Sequence, residues 1–247
     1  MRGGRDDGDV MVTCVARAAV LRDSVSMIRA ALPLFMLLAT PAAAQDVGGT
    51  ATTPAVVYEL FTSQGCSSCP PANRQIARVA DSGAEGGDAL ALSYGVTYWD
   101  YLGWKDTFAA PEFTDRQHAY VSALGGRNAY TPQIVRNGAD HDSRLPALAS
   151  LTTSLPEAVT LRAEGGRLRA DGQGGAVLVT YTPGQQSVPV ARGENGGRTL
   201  LLANVVTDVE EVALPHSFVP EPGLAYALLQ HGDDLAITSA ANWTPRK

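Results

Sequence analysis

The sequence predicts an α/β domain over residues 54–155, followed by a smaller, mostly-β domain over residues 156–247. In the first part, short apolar runs alternate with helical patterns, which is the order expected of an α/β layer arrangement. After Pro156, short β-like runs follow one another without a helical period. Glycines and prolines separate them, as in an antiparallel sheet or sandwich.

The first 44 residues are predicted to be a signal peptide with an over-long N-terminal extension. Arg29 precedes an apolar stretch at residues 30–39, and Ala42-Ala43-Ala44 has the small-residue pattern of a cleavage site. The stretch is shorter than the ~20 residues that span a bilayer, so cleavage is favoured over a membrane anchor. We therefore expect a periplasmic or secreted protein with no integral membrane association after cleavage.

The net charge of the chain limits the classes of molecule that we expect it to bind. The chain has 19 basic and 25 acidic residues; removing five arginines and four aspartates with residues 1–44 leaves 14 and 21, a net charge of −7. Nucleic acids and anionic membrane surfaces select basic patches, so we expect neither as a partner. Removal also eliminates Cys14 and leaves Cys66 and Cys69 as the two remaining cysteines.

The elements of the first domain follow in order along the chain. Three apolar, β-rich runs predict strands, and two segments with apolar residues at helical spacing predict helices. The strands are expected at residues 56–61, 89–94 and 131–135, and the helices at 72–80 and 111–124. In the second domain, β-like runs lie at 158–161, 167–169, 176–181, 188–192, 199–206, 226–230 and 236–239.

Cys66-Ser67-Ser68-Cys69 lies between the first predicted strand and the first predicted helix. The positive end of a helix favours thiolate over thiol, so this position suits cysteine chemistry. Cys66 would be the attacking thiolate and Cys69 the resolving one. A structural disulfide is the alternative, although so short a loop removes little unfolded-state entropy. A metal site would need about two further soft ligands, so no metal or cofactor is expected.

An aromatic segment is the second concentration of informative residues. It contains Tyr98, Trp99, Tyr101, Trp104 and Phe108. These rings, with Asp100, Lys105 and Asp106, could wall a binding groove beside the cysteines. The candidate substrate-binding residues are Trp99, Asp100, Trp104 and Gln133. The favoured alternative is that the aromatics pack a long connection onto the sheet.

The segment RGEN at residues 192–195 lies between two β-like runs. Its composition favours a polar hairpin turn. The alternative is that it connects the two domains or borders a ligand site.

Four motifs together resemble the DUF1223 family of exported thioredoxin-like proteins. They are ELFTSQGCSSCPP at 59–71, YWDYLGWKD at 98–106, YTPQ at 130–133 and RGEN at 192–195. The resemblance extends over nearly all of residues 45–247. It implies a thioredoxin-like domain ahead of the β-rich domain, and it implies no settled reaction.

The thioredoxin resemblance also implies roles for three residues. Pro132 would be a cis proline beside Cys66, and the backbone of Thr131 would be free to bond an extended substrate; an ordinary trans proline is the alternative. Glu59 would be the acid near the resolving cysteine. If Glu59 faces the core, burial would raise its pKa and suit it to proton relay, whereas an outward Glu59 would be a surface charge.

Three functions are therefore open. The first is an exported thiol–disulfide oxidoreductase that uses Cys66 and Cys69 on a protein or small-molecule thiol or disulfide partner. The second is a non-catalytic envelope binding or interaction module with a structural disulfide. The third is a peptide- or carbohydrate-binding protein that uses aromatics such as Trp104 and not the sulfurs.

Overall fold

A computed structural model describes residues 47–84, 88–145 and 154–246. The predicted signal peptide at residues 1–44 lies outside these ranges. Within them, no helix combines the length and hydropathy needed to cross a bilayer.

Nine of the described strands form one mixed sheet. The strand order is β1-β12-β11-β8-β9-β3-β2-β4-β5. The bounds are β1 (Gly49–Thr52), β2 (Val56–Thr62), β3 (Ala89–Gly95), β4 (Gln133–Arg136), β5 (Asp140–Asp142), β8 (Gly175–Pro189), β9 (Thr199–Ala213), β11 (Ala225–His231) and β12 (Ile237–Pro245). A second sheet has three strands in the order β10-β7-β6, with β6 (Thr160–Glu164), β7 (Arg167–Asp171) and β10 (His216–Phe218).

Two α-helices complete the described fold. Helix α1 (Pro70–Ala84) begins with two prolines, which the first turn accepts because its N–H groups have no intrahelical partners. Helix α2 (Pro111–Ala123) also begins with proline, and Gly125 follows its C-terminus with a φ of 70°. A one-turn 3₁₀ helix (Asp100–Leu102) lies between β3 and α2.

The predicted fold class is wrong. We expected a thioredoxin-like α/β domain followed by a separate, smaller β domain, whereas the protein is mostly β, with two α-helices in the described residues and one large mixed sheet. Strands from both sides of residue 155 share that sheet, since β3 pairs with β9 through Ser93 and Val205. Local sequence patterns predicted most of the strands, but not β1, β5 or β10, and they did not predict this long-range pairing. The domain bounds 54–155 and 156–247 themselves stay a prediction.

Helices cover both faces of β2, and this explains why all seven of its residues are buried. Tyr58 and Leu60 pack with Ile76 of α1, whereas Val57 and Phe61 belong to the core that includes Phe113 of α2. Successive side chains of a strand point to opposite faces. The position of a residue along β2 therefore decides which helix it meets.

Strand pairing brings the site segments together. Strand β2 runs parallel to β3 and antiparallel to β4, so the C-terminal end of β2 lies beside the N-terminal end of β4. The cysteine segment follows β2, and Thr131-Pro132 precedes β4. Strands β8 and β9 are 15 residues each, longer than the separate runs expected from the sequence, and residues 190–198 connect them. We call residues 190–198 the β8–β9 loop.

Candidate functional site

Cys66 and Cys69 form a disulfide at the start of α1. Two backbone hydrogen bonds shape the turn: the Cys66 N–H donates to Ser63 O at 3.1 Å, and the Cys69 N–H donates to Cys66 O at 3.2 Å. The Asn73 N–H then donates to Cys69 O at 3.0 Å, which is the first bond of the helix. Cys66 is 1% exposed and Cys69 is fully buried, whereas Ser67 and Ser68 are exposed. The two serines thus form the surface over the sulfur atoms.

The Thr131–Pro132 peptide bond is cis, as the sequence resemblance implied. Ser68 Oγ donates to Thr131 O at 3.3 Å and lies 3.3 Å from Cys66 Sγ. The Ser68 hydroxyl therefore joins the disulfide to the segment before β4. Thr131 lies beside the disulfide, although its carbonyl oxygen already has a partner in this structure.

Gln64 connects the cysteine segment to residues 104–107. Its N–H donates to Asp106 Oδ2 at 2.7 Å, and its side-chain Oε1 accepts from Trp104 Nε1 at 2.8 Å. Its Nε2 donates to Thr107 Oγ1 at 2.9 Å. Asp106 is itself buried; burial raises its pKa against the opposing effect of its hydrogen bonds from the Gln64 and Phe108 N–H groups.

The β8–β9 loop lies against the other side of the cysteine segment. The Nδ2 group of Asn195 donates to Gln64 O at 3.0 Å and to Cys66 O at 2.8 Å, and Asn195 is fully buried. Glu194 Oε2 accepts from the Ser67 N–H at 3.3 Å. Gly193 packs so closely on Trp104 that an added Cβ would lie 3.3 Å from the Trp104 Cβ.

The four candidate substrate-binding residues make hydrogen bonds within the protein. Trp99 Nε1 donates to Thr131 Oγ1 at 2.7 Å, and Asp100 Oδ1 accepts from the Asp106 N–H at 3.0 Å. Trp104 bonds Gln64, as described above. Gln133 is buried, and its Oε1 accepts from Gln117 Nε2 at 2.8 Å. These contacts match the packing interpretation of the aromatic segment, with Tyr101 as an exception at 78% exposed.

Glu59 is fully buried but does not face the cysteines. Its Oε1 accepts from Arg116 Nε at 2.8 Å, and its Oε2 accepts from the Tyr120 hydroxyl, so it points to α2 on the opposite face of β2 from α1. Burial by itself would raise the pKa of Glu59, but the charge of Arg116 and the two hydrogen bonds outweigh it and hold the pKa below its ordinary value. The expectation of a raised pKa is therefore wrong. Glu59 serves as the counter-ion of a buried arginine.

His231 completes this second cluster. Its Nε2 lies 3.2 Å from Arg116 Nη2, and because a guanidinium only donates, the imidazole nitrogen is the acceptor. Burial, followed by the charge of Arg116, lowers the pKa of His231 to about 4. A cavity of about 800 Å³ opens beside Arg116, Tyr120 and His231, and so lies on the α2 side of β2.

Sequence analysis missed Gln64 and underestimated the RGEN segment. RGEN lies in the turn between two strands, as the favoured interpretation predicted, and it also borders the disulfide. A ligand site at this segment stays a prediction. The sequence feature that pointed to RGEN was that it is one of the four motifs of the family resemblance. Within residues 47–84, 88–145 and 154–246, no three His, Cys, Asp or Glu side chains lie close enough together to hold a metal ion.

One protein family matches most of this chain. The family described as "Protein of unknown function (DUF1223)" matches residues 57–221. The chain belongs to this family. The match covers the disulfide, the segment before β4 and the β8–β9 loop, so the cysteine site of this DUF1223 protein lies within the region shared by the family, whereas His231 lies beyond it.

The chain is also similar to two solved structures. A crystal structure of a protein from Agrobacterium tumefaciens is 30% identical to this DUF1223 protein, with a TM-score of 0.60; the match covers 78% of this chain and 95% of that one. HBP35 of Porphyromonas gingivalis is 12% identical with a TM-score of 0.49, covering 77% of this chain and 74% of that one. No curated protein matches the chain significantly.

Proposed function

We propose that this protein is an exported thiol–disulfide oxidoreductase whose Cys66–Cys69 pair exchanges two electrons with a thiol or disulfide partner. The observation that carries the proposal is a disulfide closed across a two-residue spacer at the start of α1, with a hydroxyl 3.3 Å from Cys66 Sγ. The short loop predicts a stabilisation of about 2 kcal/mol at most from the chain-entropy relation. Stability alone is therefore a weak reason for this bond.

The exchange reaction follows from the order of the two sulfurs. Two partner thiols reduce the pair: the first thiolate attacks Cys66 Sγ, the Cys66–Cys69 bond breaks, and Cys69 leaves as a thiolate and takes up a proton. The second partner thiolate then attacks the mixed disulfide and releases Cys66. The products are the reduced protein and one partner disulfide, and the reverse sequence oxidises the pair. Ser67, Ser68 and the β8–β9 loop must shift for the first attack, because Cys66 is 1% exposed.

The test is exchange in the folded protein. We expect the pair to equilibrate with reduced and oxidised glutathione under native conditions, measured by alkylation of free thiols and mass spectrometry. Cys69→Ser should accumulate a mixed disulfide through Cys66, whereas Cys66→Ser should accumulate far less because Cys69 lies deeper. A pair that exchanges only after unfolding would contradict the proposal.

A second candidate function is supported by the burial of both cysteines, 1% and 0% exposed. It is the non-catalytic envelope binding module with a structural disulfide. The free energy of unfolding separates the two candidates. Under the redox proposal, reduction lowers it by about 2 kcal/mol or less, whereas a loss well above that value, without exchange in the folded state, favours the structural module.

A further inference from the structure

Four of the backbone N–H groups around Cys66 already have acceptors within the protein. The N–H groups of Gln64, Gly65, Cys66 and Ser67 all have acceptors, which are Asp106 Oδ2, Ser63 Oγ, Ser63 O and Glu194 Oε2 respectively. The prolines at 70 and 71 contribute no N–H groups at the start of α1. The Ser68 hydroxyl lies 3.3 Å from Sγ and donates to Thr131 O in the disulfide form, so it would serve a sulfur anion by exchanging that bond.

Two of those four acceptors are carboxylates, and they lie on opposite sides of Cys66. Asp106 bonds the N–H two residues before Cys66, and Glu194 bonds the N–H of the next residue. Each occupies a donor that a thiolate would otherwise use, and each adds a like charge. Among the other charged residues of these segments, Arg198 donates to Asn195 Oδ1, Asp100 accepts from the Asp106 N–H, and Arg192 and Lys105 are exposed.

We propose that Glu194 and Asp106 destabilise the Cys66 thiolate and so make the reduced Cys66–Cys69 pair an electron donor to substrate disulfides. This inference rests on the proposed redox function and deepens it by assigning a direction. At a pH above the Cys66 pKa, a destabilised thiolate raises the free energy of the reduced protein relative to the disulfide form, because only the reduced form carries that charge. The pair therefore gives up its electrons readily.

The donor reaction uses a substrate disulfide as the oxidant. The Cys66 thiolate attacks one substrate sulfur, so a Cys66–substrate bond forms as the substrate S–S bond breaks. The Cys69 thiolate then attacks Cys66, forms the intramolecular disulfide and releases the second substrate sulfur. The pair loses two electrons, the substrate gains two, and the two protons lost by the cysteines end on the substrate thiols.

The experiment measures the pKa of the Cys66 thiol by thiolate absorbance in the reduced protein. It also measures the equilibrium constant of the pair with glutathione. Glu194→Gln keeps an amide oxygen for the Ser67 N–H and removes the charge. We expect the Cys66 pKa to fall by about 0.5, a modest shift because Glu194 is exposed. Above that pKa, the equilibrium should move about threefold toward the dithiol, and 1 M salt should reduce the difference.

Ser68→Ala gives the opposite sign, since it removes the hydroxyl beside Sγ. We expect the Cys66 pKa to rise and the equilibrium to move toward the disulfide. Glu164→Gln, at the exposed last residue of β6, is the matched control and should change neither quantity. Asp106→Asn, when folded, should also lower the Cys66 pKa and move the equilibrium toward the reduced form.

The outcomes are distinguishable. If the pair equilibrates with glutathione in the folded protein but Glu194→Gln leaves the pKa unchanged or raises it, this inference fails while the redox function stands. If the folded protein does not equilibrate with glutathione at all, the proposed function fails and the inference fails with it. Opposite shifts in Glu194→Gln and Ser68→Ala, with Glu164→Gln unchanged, support both.

Discussion

Asn195 Nδ2 lies 2.8 Å from the carbonyl oxygen of Cys66, although 129 residues separate them in the chain. The same amide group bonds Gln64 O at 3.0 Å, so one buried side chain holds two carbonyl groups of the cysteine segment. This contact makes the β8–β9 loop part of the candidate site. We therefore expect changes in the β8–β9 loop to alter how readily the disulfide is reduced.

Asn195→Ala should speed reduction of the disulfide by dithiothreitol about tenfold. The substitution removes two hydrogen bonds that hold the loop on the cysteine segment. It leaves the buried Gln64 carbonyl group unpaired at a cost of about 1–3 kcal/mol, whereas Cys66 O keeps its bond from the Cys69 N–H. The rate is measured under native conditions by thiol release. Asn242→Ala removes a hydrogen bond from Tyr181 on the central sheet and serves as the control. An unchanged rate for Asn195→Ala, or an equal increase for Asn242→Ala, would contradict the role of the loop.

Gly193→Ala should loosen the same loop by a steric route. Gly193 has a φ of 74°, and an added Cβ would meet the Trp104 Cβ at 3.3 Å and Leu102 O at 3.4 Å. Gly197→Ala is a matched control, because its φ is 79° but no atom lies within 4 Å of the added Cβ. Both variants should lose about 1–2 kcal/mol of stability from backbone strain. Only Gly193→Ala should also speed disulfide reduction, and equal rates in the two would count against close packing on Trp104.

Glu59→Gln should lower the free energy of unfolding by about 3–5 kcal/mol. Arg116 would be left buried without its counter-ion, and removing one partner of a buried ion pair is far more costly than removing one of an exposed pair. Asp140→Asn breaks the exposed pair with Arg136 and should cost less than about 1 kcal/mol. Urea unfolding measures both. A Glu59→Gln variant of wild-type stability would show that the ion pair does not carry the stabilisation assigned to it.

Acidification should destabilise the fold through His231. Its folded pKa of about 4 lies below the ordinary value of 6.5, so between these values the unfolded chain binds a proton that the folded chain does not. The free energy of unfolding should therefore fall as the pH drops through this window, by on the order of 2 kcal/mol between pH 7 and pH 5. The pKa of Glu59 is lowered in the folded protein. Glu59 therefore stabilises the fold at pH values above its ordinary pKa, and this stabilisation is lost as the pH falls through the lowered pKa of the folded state.

The measurement is urea unfolding at pH 7 and pH 5 with the disulfide intact. His231→Gln should remove most of the difference between the two values, and the exposed His118→Gln should retain the wild-type difference. Stability that rose on acidification, or a difference that survived in His231→Gln, would argue against a neutral buried His231.

Several local features could be predicted from the sequence. The apolar runs at 56–61 and 89–94 lie in β2 and β3, and the helical patterns at 72–80 and 111–124 lie in α1 and α2. The cysteines are three positions apart, close enough to form the observed disulfide. Each of these follows from residues near one another in the chain, where side-chain period, proline and glycine determine the backbone.

Other features depend on contacts that local patterns do not encode. The period of β2 placed Glu59 and Leu60 on opposite faces, but the packing of α1 and α2 decided which face holds the cysteines and which holds Arg116. Likewise, the pairing of β3 with β9 joined both halves in one sheet and carried Asn195 to Cys66. Sequence by itself thus determined the elements and the chemistry they carry. Tertiary structure decided the partners of that chemistry, because strand pairing and helix packing join residues more than a hundred positions apart.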